Sequence, residues 1–521
     1  MKVIRLMRIV AATAAVLLLA GCILQPEDGG SLSFTVSAPQ GDVSSNSVAI
    51  DGRDDLTGTD DVDYARVWLY SNGAEYRLAP TSAGAPSSRN YVEADLSSGG
   101  ATVKIDGIPA GDGYSAVIIM GTKEDGVFVP VAYARTGRFA INAGREARPT
   151  ADKVALVGDE DSLLSAAEFN LLGKNLNSVV ANSDGVFTSD ANAVYQGPNY
   201  TGSGSGEFGT INRLSTGTLE GDSVIFVNSS EGIFKAKAGE LPEEITPSDD
   251  TDVDVRDVTF SGTFAVEDAI GEDIAEDVVF YQRLGGLGGV AAQTINSESD
   301  WQDFGAADLE DLIDPDRSPV RAQASGTGKG FFATAALDNF LLTEALFDNE
   351  SDIEAADLIS GSADGVQFFN VPYPGTTRPM RLNHMTIVEA DETEYLVVGT
   401  PRGAFTFPAG NIGHSNAARF NSTTNLVNSS HSTFRSLVRD EAVFALATDS
   451  GGKILAVATA ETVVVLDVTD GIPTSRDDAL FILPRRGVAL GEVTGLALET
   501  DGSQVTLHIS GTQGLTTVID N

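Results

Sequence analysis

The sequence predicts an all-β protein in which an N-terminal antiparallel β-sandwich precedes a β-propeller of seven blades. Two observations predict this fold class. Short apolar runs of strand length alternate with turns rich in Gly, Pro and Asn along most of the 521 residues. From about residue 165 onward, a pattern of two apolar strands around a turn keeps returning, and self-similarity at this spacing is typical of repeat architectures.

The first 21 residues have the composition of an export signal. Lys2, Arg5 and Arg8 form a positively charged start, and an apolar segment of about a dozen residues follows. This segment is too short to span a bilayer, which takes about 20 apolar residues. We therefore expect residues 1–21 to direct export and to be removed.

The single cysteine of the chain, Cys22, follows this segment directly. The sequence LAGC at 19–22 resembles the lipobox of bacterial lipoproteins. The resemblance implies cleavage between Gly21 and Cys22 and a diacylglycerol on the Cys22 sulfur, and two or more acyl chains anchor a protein stably. Ile23, rather than Asp, after the cysteine favours the outer over the inner membrane. Residues 22–30 would then form a polar tether. The alternative to a lipobox is a chance cysteine at the end of an ordinary signal peptide.

The composition excludes several classes of site. With one cysteine, the mature chain can form no internal disulfide and no zinc–thiolate centre. The formal charge is −41, or −44 without Lys2, Arg5 and Arg8, so nucleic acid and anionic lipid surfaces are repelled. The acidity is typical either of adaptation to high salt, where screening relieves self-repulsion, or of an ordinary acidic envelope protein. No later apolar run reaches membrane-spanning length, which predicts a soluble body held by lipid.

Residues 31–156 carry the strand patterns of the predicted sandwich. One of them, YARVWLYSNGAEYRLAP, predicts a hairpin around the turn pair Asn72 and Gly73. The stretch VKIDGIPAGDGYSAVIIMG (103–121) resembles the hairpin of transthyretin-like and carboxypeptidase-regulatory-like domains, in which two strands flank a Gly-x-Pro-Ala-Gly turn. That resemblance implies a spacer or adhesive module. The other strand patterns are SLSFTVSAP (31–39), GVFVPVAYA (126–134) and GRFAINAG (137–144).

Residues 165–521 carry the repeats of the predicted propeller. Each copy is an apolar strand, a small or polar stretch, a turn that often holds Gly, and a second apolar strand; a further strand precedes several copies, and three or four strands make a propeller blade. In this pattern the chain resembles WD40/YVTN-like propellers. The copies are VFTSDANAVYQ (186–196), IFVNSSEGIFKA (225–236), VVFYQRLGGLGGV (278–290, a looser fit), LISGSADGVQFF (358–369), LVVGTPRGAFTF (396–407), LAVATAETVVVLD (455–467) and LHISGTQGLTTVI (507–519).

The spacing of the turns favours seven blades. The intervals average roughly 50 residues, close to known propeller repeats. A further candidate, FFATAALDNFLLT (331–343), lies too close to the copy at 358–369 to form a separate blade, although six or eight blades stay open. Gly232, Gly365, Gly403 and Gly514 are expected to supply the positive φ of tight hairpins. The alternatives are a β-helix or a tandem of sandwiches.

The sequence predicts no catalytic residue, because neither a G-x-S-x-G elbow nor an H-E-x-x-H motif is present. His508 lies in a strand pattern and is expected to be structural. His384, His414 and His431 are the candidate ligand face, and the last two lie in a polar loop at 410–434, between the fifth and sixth predicted blades. Such a loop can offer hydrogen bonds to a sugar or peptide; the alternative is a solvated excursion.

Two other segments carry specific expectations. Asp250, Asp252 and Asp254 alternate in a way that can point carboxylates to one side, which suits Ca²⁺, although an EF-hand's central Gly and distal Glu are missing; the alternative is a solvated acidic loop. The sequence ESDWQDFGAADLEDLIDPD (298–316) predicts a helix that ends at Pro315.

Together these patterns predict an envelope lipoprotein, attached to the membrane through lipid on Cys22, whose propeller binds a protein or glycan partner. No cofactor is expected beyond the Ca²⁺ alternative, and no nucleic-acid partner. Catalysis is not expected, but two alternatives stay open. One is an extracellular propeller hydrolase or lyase that acts on carbohydrate with a pair of Asp or Glu residues, and the other is a structural scaffold in envelope assembly.

Overall fold

A computed structural model of the chain shows an all-β protein. Its described residues divide into two compact units, Met1–Met120 with Tyr133–Val154 and Gly121–Ala132 with Ala155–Asn521. The structure describes residues 29–37, 62–72, 74–78, 90–149, 151–156, 167–197, 201–203, 208–219, 222–236, 243–244, 254–267, 273–284, 290–295, 301–303, 320–326, 329–334, 339–343, 366–369, 371, 378, 380–409, 420–421, 426–427, 435–439, 441–473 and 478–520.

The first ten strands form two sheets. They are β1 (Gly30–Ser37), β2 (Tyr64–Ser71), β3 (Ala74–Glu75), β4 (Tyr91–Asp95), β5 (Gly100–Ile108), β6 (Gly111–Glu124), β7 (Val127–Thr136), β8 (Phe139–Ile141), β9 (Glu146–Ala147) and β10 (Ala151–Leu156). One sheet has the order β5-β1-β9, and the other has the order β10-β7-β6-β2-β3, with β4 paired to β2 and β8 to β6. The pair β1–β9 is parallel, so this part of the chain is not purely antiparallel.

The hairpin predicted at Asn72 is confirmed, because β2 and β3 pair across it and Asn72 has φ 50°. The hairpin predicted within 103–121 is wrong, because β5 and β6 lie in different sheets. Strand β6 instead pairs with β7 on one side and β2 on the other, and its residues from Tyr114 to Gly121 are buried. The Tyr114 hydroxyl donates to the carbonyl of Pro109 at 2.9 Å, in the connection between the two sheets.

The remaining strands form seven four-stranded antiparallel sheets among the residues that the structure describes. Sheet 1 is β12 (Ser178–Asn182), β13 (Gly185–Ser189), β14 (Val194–Gln196) and β15 (Thr201–Ser203). Sheet 2 is β16 (Ile211–Leu219), β17 (Asp222–Ser229), β18 (Gly232–Ala236) and β19 (Glu243–Glu244). Sheet 3 is β20 (Asp254–Glu267), β21 (Asp273–Leu284), β22 (Val290–Ile295) and β23 (Trp301–Asp303). Sheet 4 is β24 (Val320–Gly326), β25 (Lys329–Thr334), β26 (Asn339–Thr343) and β27 (Val366–Phe369).

Three further sheets complete this set. Sheet 5 is β28 (His384–Ala390), β29 (Thr393–Thr400), β30 (Gly403–Pro408) and β33 (Arg435–Arg439), with the separate pair β31 (Phe420–Asn421) and β32 (Leu426–Val427) between its last two strands. Sheet 6 is β34 (Val443–Thr448), β35 (Ile454–Thr459), β36 (Thr462–Asp467) and β37 (Ala479–Pro484). Sheet 7 is β38 (Val493–Asp501), β39 (Gln504–Gly511), β40 (Gly514–Asp520) and, from the other end of the chain, β11 (Ala167–Asn170). Helix α1 (Arg485–Val488) joins sheets 6 and 7.

One strand of each sheet contacts the corresponding strand of the next sheet. We call β12, β16, β20, β24, β28, β34 and β38 the contact strands. Each of them contacts the next one in this order, and β38 contacts β12. The seven sheets therefore have a cyclic order of neighbours.

Apolar side chains fill the spaces between neighbouring sheets. Between sheets 1 and 2, Phe187 packs with Leu214, Ile225 and Phe234, and between sheets 5 and 6, Val397 packs with Leu455 and Val464. Burying this apolar surface is the main stabilising contribution, at roughly 25 cal/mol per Å² removed from water. Strands β30 and β35 are buried at every position, which explains why they read as continuous apolar runs.

The strand pairing confirms six of the predicted hairpins: β13–β14, β17–β18, β21–β22, β29–β30, β35–β36 and β39–β40. At their turns, Gly232, Gly403 and Gly514 have φ of 126°, 130° and 143°. Gly365 lies outside the described residues.

The fourth copy is placed differently. The hairpin of sheet 4 is β25–β26, formed by the candidate at 331–343, and Val366–Phe369 is the outer strand that pairs with β26. The turn spacing was misleading because a long connection separates the last two strands of this sheet.

Two other expectations were wrong. The segment 410–434, expected between the fifth and sixth blades, connects two strands of sheet 5, because Arg435–Arg439 pairs with β30. Trp301–Asp303, predicted to be helical, forms strand β23 against β22, where tertiary pairing overrides the local helical pattern. The described residues include no helix with the length and hydropathy of a membrane-spanning segment.

Candidate functional site

A cavity of about 1000 Å³ lies at the C-terminal ends of five contact strands. Strands β12, β16, β28, β34 and β38 each contribute one or more lining residues, and the turns after β12 and β34 and the starts of β17, β29 and β39 contribute the rest. Because neighbouring sheets all end here, side chains that are far apart in the sequence meet in one concave surface. Its polar lining consists of carboxylates, hydroxyls and amides: Asn182, Ser183, Thr216, Ser223, Glu389, Glu394, Thr448, Asp449, Ser450, Glu499, Thr500, Asp501, Gln504 and Thr506.

A chain of hydrogen bonds holds one cavity carboxylate in place. The Oε2 atom of Glu499 lies 2.9 Å from His508 Nε2, and His508 Nδ1 lies 3.0 Å from Thr517 Oγ1. His508 and Thr517 are buried, whereas Glu499 is 35% exposed. Since a carboxylate can only accept, His508 donates from Nε2 to Glu499. The carboxylate of Glu499 is thus oriented from behind by two buried side chains.

Asp449 shapes the turn that borders the cavity between β34 and β35. Its Oδ1 accepts the backbone N–H groups of Lys453 and Ile454 at 2.7 and 2.8 Å, and its Oδ2 accepts the Thr500 hydroxyl at 3.1 Å. The second bond joins sheet 6 to sheet 7. Asp449 is buried, so its role is to fix this rim rather than to reach into the cavity.

Glu389 is joined to the same turn from sheet 5. Its Oε1 lies 2.7 Å from Lys453 Nζ, and its backbone N–H donates to the carbonyl of Gly452 at 2.8 Å. Both side chains of the ion pair are partly exposed. A polar pair on the other side, Asn182 Nδ2 to Ser223 Oγ at 2.9 Å, joins sheets 1 and 2. The cavity rim is therefore held by polar contacts between sheets.

The sequence-predicted ligand residue His384 lies at the other end of β28. It is the first residue of the strand, whereas Glu389 near the end of the strand lines the cavity. Burial and the Arg213 guanidinium lower the pKa of His384 to about 4, so its ring is neutral at pH 7. Arg213 lies near the start of β16, in sheet 2. His414 and His431 lie outside the described residues.

The other predicted site residues are placed as follows. Asp254 is the first residue of β20, and Asp250 and Asp252 lie outside the described residues, as do Gly21 and Cys22. Within the described ranges, no three His, Cys, Asp or Glu side chains come close enough to hold a metal ion.

Sequence reasoning missed the cavity residues. Glu389 and Glu499 stand near the end, and Asp449 directly after the end, of the first strand of a hairpin, in the fragments IVEAD, ALETD and LATDS. An acidic residue at the same place in several repeats was the available signal. It was hidden because acidic residues are frequent throughout this chain.

The comparisons with known proteins give fold-level likenesses only. No family model matches the sequence, and no curated protein matches it. Three solved structures resemble 68% of this chain: the computationally designed Ika8 protein (12% identity, TM-score 0.37), the extracellular domain of BT4673 from B. thetaiotaomicron (11%, 0.41), and PorZ, a surface component of the type-IX secretion system of Porphyromonas gingivalis (11%, 0.38). The match spans all of the Ika8 chain but 40% and 39% of the two bacterial chains.

Proposed function

We propose that the seven four-stranded sheets form a seven-bladed β-propeller and that the N-terminal strands form a β-sandwich. The cyclic order of the contact strands supports the propeller, because blades of four strands around a central axis have this order of neighbours. The pairing of β11 with β40 supports it further, since a strand from the start of the repeats and three from the end share sheet 7.

We further propose that the protein is a lipoprotein anchored in the outer membrane through Cys22. The lipobox-like sequence LAGC and the charged, apolar segment before it support this assignment. The test is Cys22→Ser, which should move the protein from the membrane to the soluble fraction of the cell envelope. Continued partition with the membrane in this variant would contradict the anchor.

The function that the geometry supports best is non-catalytic binding of a protein or glycan partner in the cavity at the ends of the contact strands. One observation carries this proposal: five blades contribute mainly hydrogen-bonding side chains to a single concave surface of about 1000 Å³. Ligand sites are typically concave, with a few convergent polar groups that fix the orientation of the bound molecule.

Site-specific photo-crosslinking in cells tests this proposal. A photoreactive residue at Ser450, exposed on the cavity rim, should give discrete cross-linked products with a protein or glycan. The same residue at Glu231, exposed at the turn between β17 and β18, is the matched control and should give none. Equal cross-linking from both positions, or none from Ser450 together with no binding on a glycan array, would contradict the proposal.

The hydrolase or lyase alternative is kept as a second candidate because of one observation. Glu499, with His508 behind it, is a carboxylate–histidine pair at a cavity that contains further carboxylates, and paired carboxylates are the machinery of glycoside hydrolysis. Turnover of envelope polysaccharide that is abolished in Glu499→Gln and kept in Glu231→Gln would support catalysis. Absence of turnover by the wild-type chain would exclude this candidate for the polysaccharides tested.

A further inference from the structure

The cavity carries a one-sided charge. Its lining includes the carboxylates of Glu389, Glu394, Glu499 and Asp501, and the buried Asp449 stands in its rim. No Lys, Arg or His is among its described lining residues, and the adjacent Lys453 offsets one carboxylate through its ion pair with Glu389. Clefts lined by charges of one sign concentrate the field and attract ligands of the opposite sign.

The spacing of the carboxylates selects the kind of cation. A calcium ion needs six to eight oxygens at 2.3–2.6 Å, and within the described parts of the chain no three suitable ligands are that close together. Instead the lining carboxylates form two groups on two blades, with Glu389 opposite Glu394 on β28 and β29, and Glu499 and Asp501 on β38. Separated acceptors match a ligand with two or more spaced ammonium or guanidinium groups.

Glu499 is distinguished from the other carboxylates by its support. The buried His508 and Thr517 orient it through hydrogen bonds of 2.9 and 3.0 Å, while the carboxylate itself lines the cavity. Side chains locked from behind in this way give a binding site geometric precision. No other cavity carboxylate has a histidine donor among the described contacts.

We infer that the cavity binds an organic cation carrying two or more amino or guanidino groups, and that Glu499, positioned by His508, is its specificity-determining residue. This inference rests on the proposed binding function, because it uses the same cavity. Two sources supply this chemistry, a small polyamine or the Lys and Arg side chains of a protein, and the experiment separates them.

The experiment measures dissociation constants of the full chain by calorimetry for three probes. Spermine represents a small polyamine, trilysine represents basic protein side chains, and a neutral tetrasaccharide serves as the uncharged comparison. Glu499→Gln and Asp501→Asn each remove one cavity charge at nearly constant size, and the Gln side chain can still accept from His508. Glu231→Gln is the matched control, and thermal unfolding curves verify that each variant is folded.

Binding of at least one cation is expected. Each cavity variant should reduce the affinity about two- to fivefold, which is the effect of losing a single partly exposed ion pair. The control variant should leave the affinity unchanged. Lys453→Met should have the opposite effect, a two- to fivefold gain, because it releases Glu389 from its ion pair. A purely structural role of these residues would not produce effects of opposite sign. Raising the salt from 10 to 150 mM should weaken binding, since the Debye length falls from about 30 to about 8 Å.

The outcomes separate the two proposals. Tighter binding of spermine assigns the site to a polyamine, and tighter binding of trilysine assigns it to a basic protein segment; both support the inference. Failure of both cations to bind, or affinities unaffected by Glu499→Gln and Lys453→Met, would overturn it. If the tetrasaccharide alone binds and Ser450 still gives cross-links in cells, the cation inference fails while the binding function stands.

Discussion

The carboxylate of Glu492 holds two buried arginines at the joint between sheets 6 and 7, and its removal should destabilise the protein measurably. Its two oxygens lie 3.0 Å from Arg485 Nη1 and 2.6 Å from Arg486 Nη2. The arginine side chains are 1% and 7% exposed. We consider Glu492→Gln, which keeps the size of the side chain and removes its charge.

The expected magnitude follows from burial and from the remaining partners. Breaking a fully buried ion pair costs about 3–5 kcal/mol, and an exposed pair contributes about 0.2–1 kcal/mol. Glu492 is 56% exposed, and each guanidinium keeps a backbone acceptor, Ala460 O for Arg485 and Gly491 O for Arg486. We therefore expect a loss of about 1–2 kcal/mol, or roughly 1–3 °C in Tm for a unit of this size.

The same interaction makes the loss dependent on pH. Burial alone would raise the pKa of Glu492, but the guanidinium groups of Arg486 and Arg485 outweigh it and lower the pKa below its usual 4.5. A depressed carboxylate pKa stabilises the folded state above the unfolded-state pKa, and this stabilisation is lost as the pH falls through the folded-state pKa. The difference between wild type and Glu492→Gln should thus be largest at neutral pH and shrink below pH 4.5.

Thermal unfolding of the full chain, followed by calorimetry at pH 7.5 and in steps down to pH 3.5, measures this difference. A double-mutant cycle with Arg486→Gln isolates the pair, and a coupling of about 0.5–1.5 kcal/mol is expected for contacting residues. Glu231→Gln is the control for removing an exposed charge. A difference that stays constant across this pH range, or a coupling near zero, would refute the reasoning.

Three further changes test the packing. Phe208→Ala should lower the free energy of unfolding by about 3–5 kcal/mol, because Phe208 is buried with its ring centroid 5.0 Å from that of Phe234. In chemical denaturation, Phe208→Leu should lower it clearly less, and equal losses would contradict the packing. Gly399→Ala should destabilise by about 1–3 kcal/mol, because an added Cβ would lie 2.7 Å from Val443 Cγ1, and Val443→Ala in the same chain should restore part of the loss. Tyr114→Phe removes the hydroxyl that donates to Pro109 O. It should lower the free energy of unfolding of the N-terminal strands by about 1 kcal/mol, measured by calorimetry. The comparison variant is Tyr64→Phe, at the partly buried first residue of β2.

Local pairing was predictable from the sequence because hairpins depend on neighbouring residues. The apolar runs around Gly403 and Gly514 specified both strands and the turn in each case, and β29–β30 and β39–β40 form as expected. Where a long connection interrupts a sheet, the same logic failed. Residues 358–369 resembled a complete repeat, but Val366–Phe369 pairs with β26, which ends more than 20 residues earlier.

The cavity could not be predicted because its residues are brought together only by the cyclic order of the sheets. Glu389 and Lys453 are 64 positions apart, and Thr500 and Asp449 are 51 apart. Sequence reasoning treated His508 as a structural residue in a strand, and its burial agrees with that expectation. The strand pattern did not reveal that Glu499, the diagonal neighbour of His508 on the adjacent strand β38, lines the cavity.

The distribution of basic residues gives the acidity of the chain a structural meaning. The chain has 33 Lys and Arg against 74 Asp and Glu, and some of the described cations pair with carboxylates where neighbouring sheets meet. Lys453 joins sheet 6 to sheet 5, and Arg485 and Arg486 join sheet 6 to sheet 7 through Glu492. The described lining of the cavity, in contrast, includes carboxylates and no Lys, Arg or His. If the habitat is saline, where the Debye length is about 3 Å at 1 M salt, attraction of a cation from a distance is lost and only direct contact with a carboxylate such as Glu499 can recognise it. A carboxylate fixed by two buried side chains is the kind of group that such short-range recognition requires.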